Sequence, residues 1–322
     1  MCIGGGTGTF VTLSGLKNYP YHISALVSMS DSGGSNRRIR DEFGLLPTSD
    51  IRQCLIALSA EKGRTGLLRE LFMYRFAKGK GISGMTFGNL FMAALSDILG
   101  SQEKAIRQTG KVLRINGDVI PITFTNTNLY ATYENGQTVT EEHFIDEPTH
   151  DGTLRITTIS LKPKAKANPE ALDAIAKADL IVLGPGDLYT SLVPNLLVDG
   201  IAKAIKNSQA KKVYIMNLMT KYGQTYNFAA SDHVAVIEKF IGKTLSAVVV
   251  DSSMYPEAIL KRYEKMKEFP VVDDLGKKQY YRVVRKPIVG SQLITKAASD
   301  SLVRSLIRHD SDKLAKILVA LL

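Results

Sequence analysis

Tryptophan is absent from the 322 residues, and cysteine occurs only at Cys2 and Cys54. Two cysteines cannot build a disulfide framework or a zinc knuckle. No apolar run approaches the ~18 residues that a membrane span needs. The first residues lead directly into a glycine loop, without the basic and apolar segments of a secretory signal, so the expected compartment is the cytoplasm. Aromatic residues make up 7% of the chain and do not interleave with basic ones, as they do where single-stranded bases stack. The cations are also spread out rather than massed in one arm, so no dedicated nucleic-acid site is expected. The five histidines, His22, His143, His150, His233 and His309, lack metal-ligand spacing. None forms an evident nucleophile–base pair with Cys54 or a serine, and His233 reads as a surface or capping residue.

What is present is ordinary globular usage, 44% hydrophobic and 22% charged, with a net charge of +10 that attracts phosphates of any origin. Near-continuous apolar runs at 23–29, 180–183, 212–217 and 247–250 suit strands of a parallel sheet covered on both faces. Helical patterns lie between them. Leu67, Leu68, Leu71, Phe72 and Phe76 share one helical face. Asn168 followed by Pro169 opens a helix, Gly242 closes one that starts near Asp232, and 310–322 reads as a final amphipathic helix. The middle, about 118–161, is β-rich: 128–133 and 137–141 flank the hairpin signal Glu134-Asn135-Gly136. The expected fold is therefore one α/β domain over 1–322, a Rossmann-like, doubly wound, mostly parallel sheet with a β-hairpin insertion.

Five loops carry the chemistry. The first, Gly4-Gly5-Gly6-Thr7-Gly8-Thr9, stands at a strand-to-helix turn, where glycines let backbone N–H groups approach a phosphate at the helix N-terminus. Neither a dinucleotide fingerprint nor a Walker loop is complete: Val11 stands where a third glycine belongs, and no lysine follows. The second, Asp31-Ser32-Gly33-Gly34-Ser35 with Arg37, Arg38 and Arg40 after it, puts Asp31 23 residues beyond Gly8, where a ribose-binding carboxylate sits in dinucleotide folds. Asp31 is also the candidate metal ligand, with Mg²⁺ the candidate ion, and the arginines suit phosphate oxygens. In the third loop Ser49 or Asp50 would cap the helix beginning there. Asp31 and Asp50 are the two candidate catalytic carboxylates. The fourth presents Asn89 after Gly88. The fifth, Gly184-Pro185-Gly186-Asp187-Leu188-Tyr189-Thr190, ends an apolar strand, and Asn217 ends the next. Open α/β sheets bind ligands beyond such strand ends.

The ordered set of these loops, with Ala178-Asp179-Leu180 before the Gly-Pro-Gly turn, Ala230-Ser231-Asp232-His233, Arg262-Tyr263 and Ile307-Arg308-His309-Asp310, resembles the CofD-like superfamily in its YvcK, or gluconeogenesis-factor, branch. The resemblance runs across nearly the whole chain. It implies a nucleotide site at the carboxyl edge of the sheet and UDP-N-acetylglucosamine as ligand. It also implies a regulatory role in gluconeogenic growth, cell-wall precursor supply and cell shape, and a homodimer. Tyr263 and Arg308 match positions associated with the sugar nucleotide, a tyrosine stacked on the ligand and an arginine over the diphosphate. The CofD branch proper implies instead a Mg²⁺-dependent transfer of a phospholactyl-type group from a nucleotide donor to a deazaflavin. A third reading, from Gly6, Gly8 and Asp31 alone, is an NAD(P)-binding protein. The chain departs from the branch's usual forms at Ser32, Ser49, Met85-Thr86 and Asp251, all expected at the rim of the site.

Overall fold

Alternate residues of short apolar strands face opposite sides of one sheet, and both sides are buried. Cys2, Ala25, Val27, Val182, Val213 and Val249 pack into one core, and Ile3, Leu26, Ile181, Leu183, Tyr214 and Val248 into the other, the pattern of a strand covered on both faces. These assignments come from a computed structural model that describes residues 1–60, 64–290 and 305–322.

The strands are β1 (Cys2–Gly4), β2 (Ser24–Val27), β3 (Asp118–Pro121), β4 (Asn128–Tyr133), β5 (Thr138–Thr140), β6 (Ile156–Lys162), β7 (Leu180–Leu183), β8 (Lys211–Ile215), β9 (Ala247–Asp251) and β10 (Arg282–Lys286). Seven of them form one sheet in the order β10-β9-β8-β7-β1-β2-β3, with every pairing parallel. The order reverses between β1 and β7, the switch point at which doubly wound sheets open a crevice. Helices Gly6–Leu16, Ser49–Leu58 and Ser311–Leu321 cover one face through Leu13, Ile51, Leu55, Leu314 and Leu318. Pro169–Lys177, Ile201–Asn207 and Ala230–Ile241 cover the other through Ile175, Ile205 and Ile237.

β5, β4 and β6 make a small antiparallel sheet in that order. The Glu134-Asn135-Gly136 turn joins β4 to β5, with Gly136 at φ 84°. Residues 118–121, expected within the β-rich insertion, instead form the edge strand β3 of the main sheet, so the insertion starts after them. It also contains a short helix, Glu142–Asp146, whose five residues are too few to show a period. The helix carrying Leu67 and Phe72 is Arg64–Met73, and it ends before Phe76. Phe76 turns back instead, its N–H donating to the Met85 carbonyl at 2.9 Å. Phe72 is buried while Leu67 is 74% exposed, so the expected apolar face is only partly used. Among the described residues no helix is long and apolar enough to cross a membrane.

Candidate functional site

The glycine loops after β1 and β7 touch through their backbones. A Cβ on Gly8 would lie 2.1 Å from the Pro185 carbonyl oxygen, and one on Gly5 would lie 2.3 Å from Asp50 Oδ2. Gly6, at φ +63°, takes a left-handed conformation with open space beside it. The N-termini of helices Gly6–Leu16, Gly34–Phe43 and Ser49–Leu58 thereby converge on one cleft of about 260 Å³ at the carboxyl ends of β1, β2, β7 and β8. Helix N-termini carry partial positive charge and unsatisfied N–H groups, so three of them together favour an anion.

Of the residues singled out in the sequence, Gly5, Gly6, Thr7 and Gly8 line this cleft from the first loop. Asp31, Gly33, Ser35 and Asp50 line it from the next two, and Gly186, Asp187, Thr190, Asn217, Tyr263 and Arg308 from the far side. Six others stand outside its wall. Thr9 is buried, and its hydroxyl donates to the Gly5 carbonyl at 3.2 Å, bracing the loop from within its helix. Gly34 and Gly184 shape turns at φ 51° and 80°. Arg38 points away and donates to the carbonyls of Ser83, at 3.0 Å, and Gly81. Tyr189 is buried edge-on against Phe228. Asn89 lies beneath the loops rather than in the wall. Tyr263 does reach the cleft, but it is only 2% exposed, which leaves no face for stacking. A buried hydroxyl must find partners; here it accepts the N–H groups of Leu306 at 2.8 Å and Ile307 at 3.2 Å, holding the segment that carries Arg308.

The third loop is capped differently from expectation. Helix Ser49–Leu58 has Thr48 at its N-cap with no side-chain cap of its own. Asn36 supplies it from the second loop: Oδ1 accepts from the N–H groups of Thr48 and Ser49 at 3.2 and 3.1 Å and from the Ser49 hydroxyl at 2.8 Å. The Asn36 amide then donates to Asp31 Oδ2 at 2.5 Å, while Asp31 Oδ1 accepts from Gly33 N–H at 2.8 Å. Asn89 donates to both Ser35 and Ser49 hydroxyls at 3.1 Å and accepts from buried Arg52 at 3.0 Å. One polar network thus fixes all three loops. Asn36 and Arg52 were not singled out as site residues in the sequence, because their role depends on loops meeting in space.

The inserted helix closes one side of the cleft with Glu142 and Asp146, which sequence reasoning also missed. Glu142 accepts from Ser32 N–H at 3.3 Å, and Ser32 Oγ accepts from His143 N–H at 3.0 Å. Asp31 Oδ1 and Glu142 Oε2 both flank Gly33, at 3.4 and 4.0 Å from a Cβ placed there, and Asp146 accepts from the Gln224 amide at 3.0 Å. Burial, and for Glu142 the neighbouring charges of Asp31 and Asp146, pushes the carboxyls of Asp31 and Glu142 up. Burial and Asp146 push Asp187 up to about 7. Lys221 stands 3.7 Å from Asp146 and 3.6 Å from Glu268; burial opposes its charge, but these carboxylates outweigh it and hold the ammonium protonated. His309 also lines the cleft, with burial pushing its imidazole down to about 4.

Asp31, the candidate Mg²⁺ ligand, lines the cleft with each of its oxygens accepting one hydrogen bond, and among the described residues no group of three His, Cys, Asp or Glu is arranged to hold a metal ion. Of the four departures from the family forms, only Ser49 lines the cleft. Ser32 is buried behind it, Met85 is buried, Thr86 caps helix Phe87–Leu99 by accepting from Asn89 N–H, and Asp251 accepts from Ser253, Tyr255 and Ile288. His233 is fully buried rather than at the surface, its Nδ1 3.0 Å from the Ala229 carbonyl and its ring edge-on to Phe228. A larger hollow of about 910 Å³ lies at the amino-terminal edge of the sheet, beside Ile23, Leu180 and Leu318. None of the five loops singled out in the sequence lines it, and it lies at the edge opposite to where open α/β sheets bind ligands.

The sequence profile of the CofD family, described as 2-phospho-L-lactate transferase CofD, matches residues 1–289. The chain belongs to the CofD family. Its resemblance to the gluconeogenesis-factor branch extends over the full length. A Bacillus subtilis (strain 168) protein named gluconeogenesis factor is 38% identical over 321 residues, covering 99% of this chain and 96% of its own length. A Halalkalibacterium halodurans protein of the same name is 41% identical over 273 residues, 84% of this chain and 83% of its own. The crystal structure of a Bacillus halodurans protein superposes with a TM-score of 0.89 at 37% identity, covering 99% of this chain and 98% of that one.

Proposed function

We propose that the chain is a nucleotide-sugar-binding regulatory protein of the gluconeogenesis-factor type. Its ligand would be UDP-N-acetylglucosamine, and its role would be to support cell-wall precursor supply and cell shape during gluconeogenic growth. The observation that carries this reading is the convergence of three helix N-termini on one cleft, with Gly6, Gly8 and Gly186 bringing backbone close to the space a diphosphate would fill. Arg308, on the segment whose Leu306 and Ile307 N–H groups Tyr263 accepts, supplies a guanidinium on the same wall. The name shared by its relatives supports the regulatory role. A second reading, a phospholactyl-type transferase, is favoured by the family profile over residues 1–289.

The test is a thermal-shift screen of the purified chain against UDP-N-acetylglucosamine, UDP-glucose, GDP, GTP, NAD and NADP, each with and without Mg²⁺. A ligand at 100 times its dissociation constant stabilises the fold by ~2.7 kcal/mol, which is readily visible. A metal-independent shift with the UDP-sugars is the expected result. A shift confined to guanosine nucleotides plus Mg²⁺ transfers the assignment to the second reading, and no shift with any UDP-sugar at millimolar concentration sinks the first.

A further inference from the structure

The walls of the cleft hold more carboxylates than cations, although the three helix N-termini that meet there attract an anion. The glycine loops after β1 and β7 bring the backbone N–H groups, and the insertion brings acid. Glu142 and Asp146 stand one turn apart on the inserted helix, so both project to the same side. Each is pinned in place by an amide. Glu142 Oε2 accepts from Ser32 N–H at 3.3 Å, and Asp146 Oδ1 accepts from the Gln224 side chain at 3.0 Å. Gln224 is buried and accepts in turn from Tyr189 N–H, in the fifth loop, at 3.3 Å. Lys221 stands 3.7 Å from Asp146 and 3.6 Å from Glu268.

A carboxylate offers about four acceptor positions, and these two amides take one from Glu142 and one from Asp146. What the insertion presents to the cleft therefore suits neutral hydrogen-bond donors and repels phosphate. A side chain from another element makes the same demand. His309 lines the same cleft and is only 9% exposed, and its Nε2 has no hydrogen-bond partner among the described residues. Burial pushes its imidazole down to about 4, so at pH 7 the ring is neutral and brings no charge to a phosphate. A buried polar atom of this kind calls for a partner, and a hydroxyl or an amide of the ligand supplies one.

We propose that Glu142 and Asp146, with His309, form the glycosyl-reading wall of the cleft: they hydrogen-bond the hydroxyl and amide groups of the ligand's sugar, while the helix N-termini and Arg308 hold its diphosphate. The proposal rests on the nucleotide-sugar reading of the same cleft and deepens it by assigning ligand selectivity to the insertion. A ligand that stops at the diphosphate brings its charge near these carboxylates and offers them no hydroxyl. A glycosyl group fills the space between and pairs with the acid. Sites built to hydrogen-bond a hydroxyl reject an analogue that lacks it, because their own polar groups are then left unpaired.

The experiment is isothermal titration of the full chain at pH 7, with and without Mg²⁺, using two probes. One is UDP-N-acetylglucosamine; the other is UDP methylated on its terminal phosphate, which keeps the charge of the sugar nucleotide and lacks the sugar. The parent chain should bind the sugar nucleotide at least about tenfold more tightly. Glu142→Gln and Asp146→Asn keep an oxygen to accept from Ser32 and Gln224 and lose the ionised acceptor. Each should weaken the sugar nucleotide by about tenfold and leave the methyl ester unchanged or bound more tightly. His309→Phe keeps an aromatic ring without its nitrogens and should weaken the sugar nucleotide alone, by several-fold.

A parent chain that binds both probes equally overturns the wall and leaves a nucleotide site standing. Glu142 and Asp146 variants that change both probes alike, or neither, overturn it too. Equal weakening would make the insertion a brace for the loops, and equal tightening a source of repulsion only. A Mg²⁺ requirement that the substitutions abolish also overturns it, because the carboxylates would then serve a metal. Failure of the parent to bind the sugar nucleotide at millimolar concentration overturns the nucleotide-sugar reading and the wall together. The comparison of probes on the parent chain needs no variant to fold.

Discussion

Gly8 and Gly6 stand two residues apart, and their structural duties separate cleanly. At Gly8 the constraint is another backbone, because a methyl there would lie 2.1 Å from the Pro185 carbonyl oxygen and 3.1 Å from Gly186 N. Neither atom belongs to a flexible side chain, so one loop must move. Gly8→Ala should cost roughly 2–3 kcal/mol of stability, seen as a lower denaturation midpoint. At Gly6 the constraint is conformation, with φ at +63° and nothing near the missing Cβ. Gly6→Ala should cost only about 1 kcal/mol but place its methyl in the cleft, so its larger effect should fall on affinity for UDP-N-acetylglucosamine. Equal losses of stability in the two variants would refute this division. The sequence shows both glycines and the turn they make. It does not show that one of them faces another loop nearly 180 residues away, because that contact exists only after the sheet has brought β1 beside β7. The capping role of Asn36 and the bracing role of Tyr263 were opaque for the same reason: each acts on a loop other than its own.

Elements were readable where local chemistry and tertiary role coincide. Asn168 is such a case: its Oδ1 accepts from Glu170 N–H at 3.1 Å, with Pro169 at the first turn as expected. Its amide adds a duty the sequence does not show, donating to the Pro121 carbonyl at 3.0 Å at the end of β3. Asn168→Ala should therefore cost roughly 1–2 kcal/mol, combining a lost cap with a lost buried hydrogen bond. Asn168→Asp, which keeps the cap oxygen but cannot donate to Pro121, should recover part of this. Denaturant midpoints with unchanged slope would check it, and an alanine variant as stable as the parent would refute it. The apolar runs near β2 and at β7, β8 and β9 were legible because burial on both faces leaves a continuous apolar signature. β3 was not: its four residues adjoin β-rich sequence, and nothing in Asp118-Val119-Ile120-Pro121 tells a parallel edge strand from the start of a meander. The inserted helix Glu142–Asp146 was missed because its content is electrostatic and periodicity does not register it.

Across the whole molecule two sets of buried titratable groups act in opposite directions on stability. Burial pushes the imidazoles of His309, His233 and His150 down, that of His309 to about 4. An unfolded chain binds protons at its histidines from about pH 6.5 downward while the folded chain does not, so this set removes stability as pH falls from about 6.5. Burial pushes Asp31, Glu142, Asp187 and Glu268 up. The unfolded chain releases those protons near pH 4, whereas the fold retains them, at Asp187 until about 7. The folded state then binds more protons than the unfolded one, so this second set removes stability as pH rises from about 4. Between pH 4 and 6.5 the two slopes oppose each other and the profile should be comparatively flat. Above 6.5 the histidine contribution is complete and only the carboxyl set remains, so stability should fall between pH 6.5 and 8 by roughly 1–2 kcal/mol. Urea denaturation of the ligand-free chain at pH 5, 6.5 and 8 measures this directly. Asp187→Asn should flatten the alkaline fall. A parent chain as stable at pH 8 as at 6.5 would mean that these buried carboxyls ionise freely in the fold.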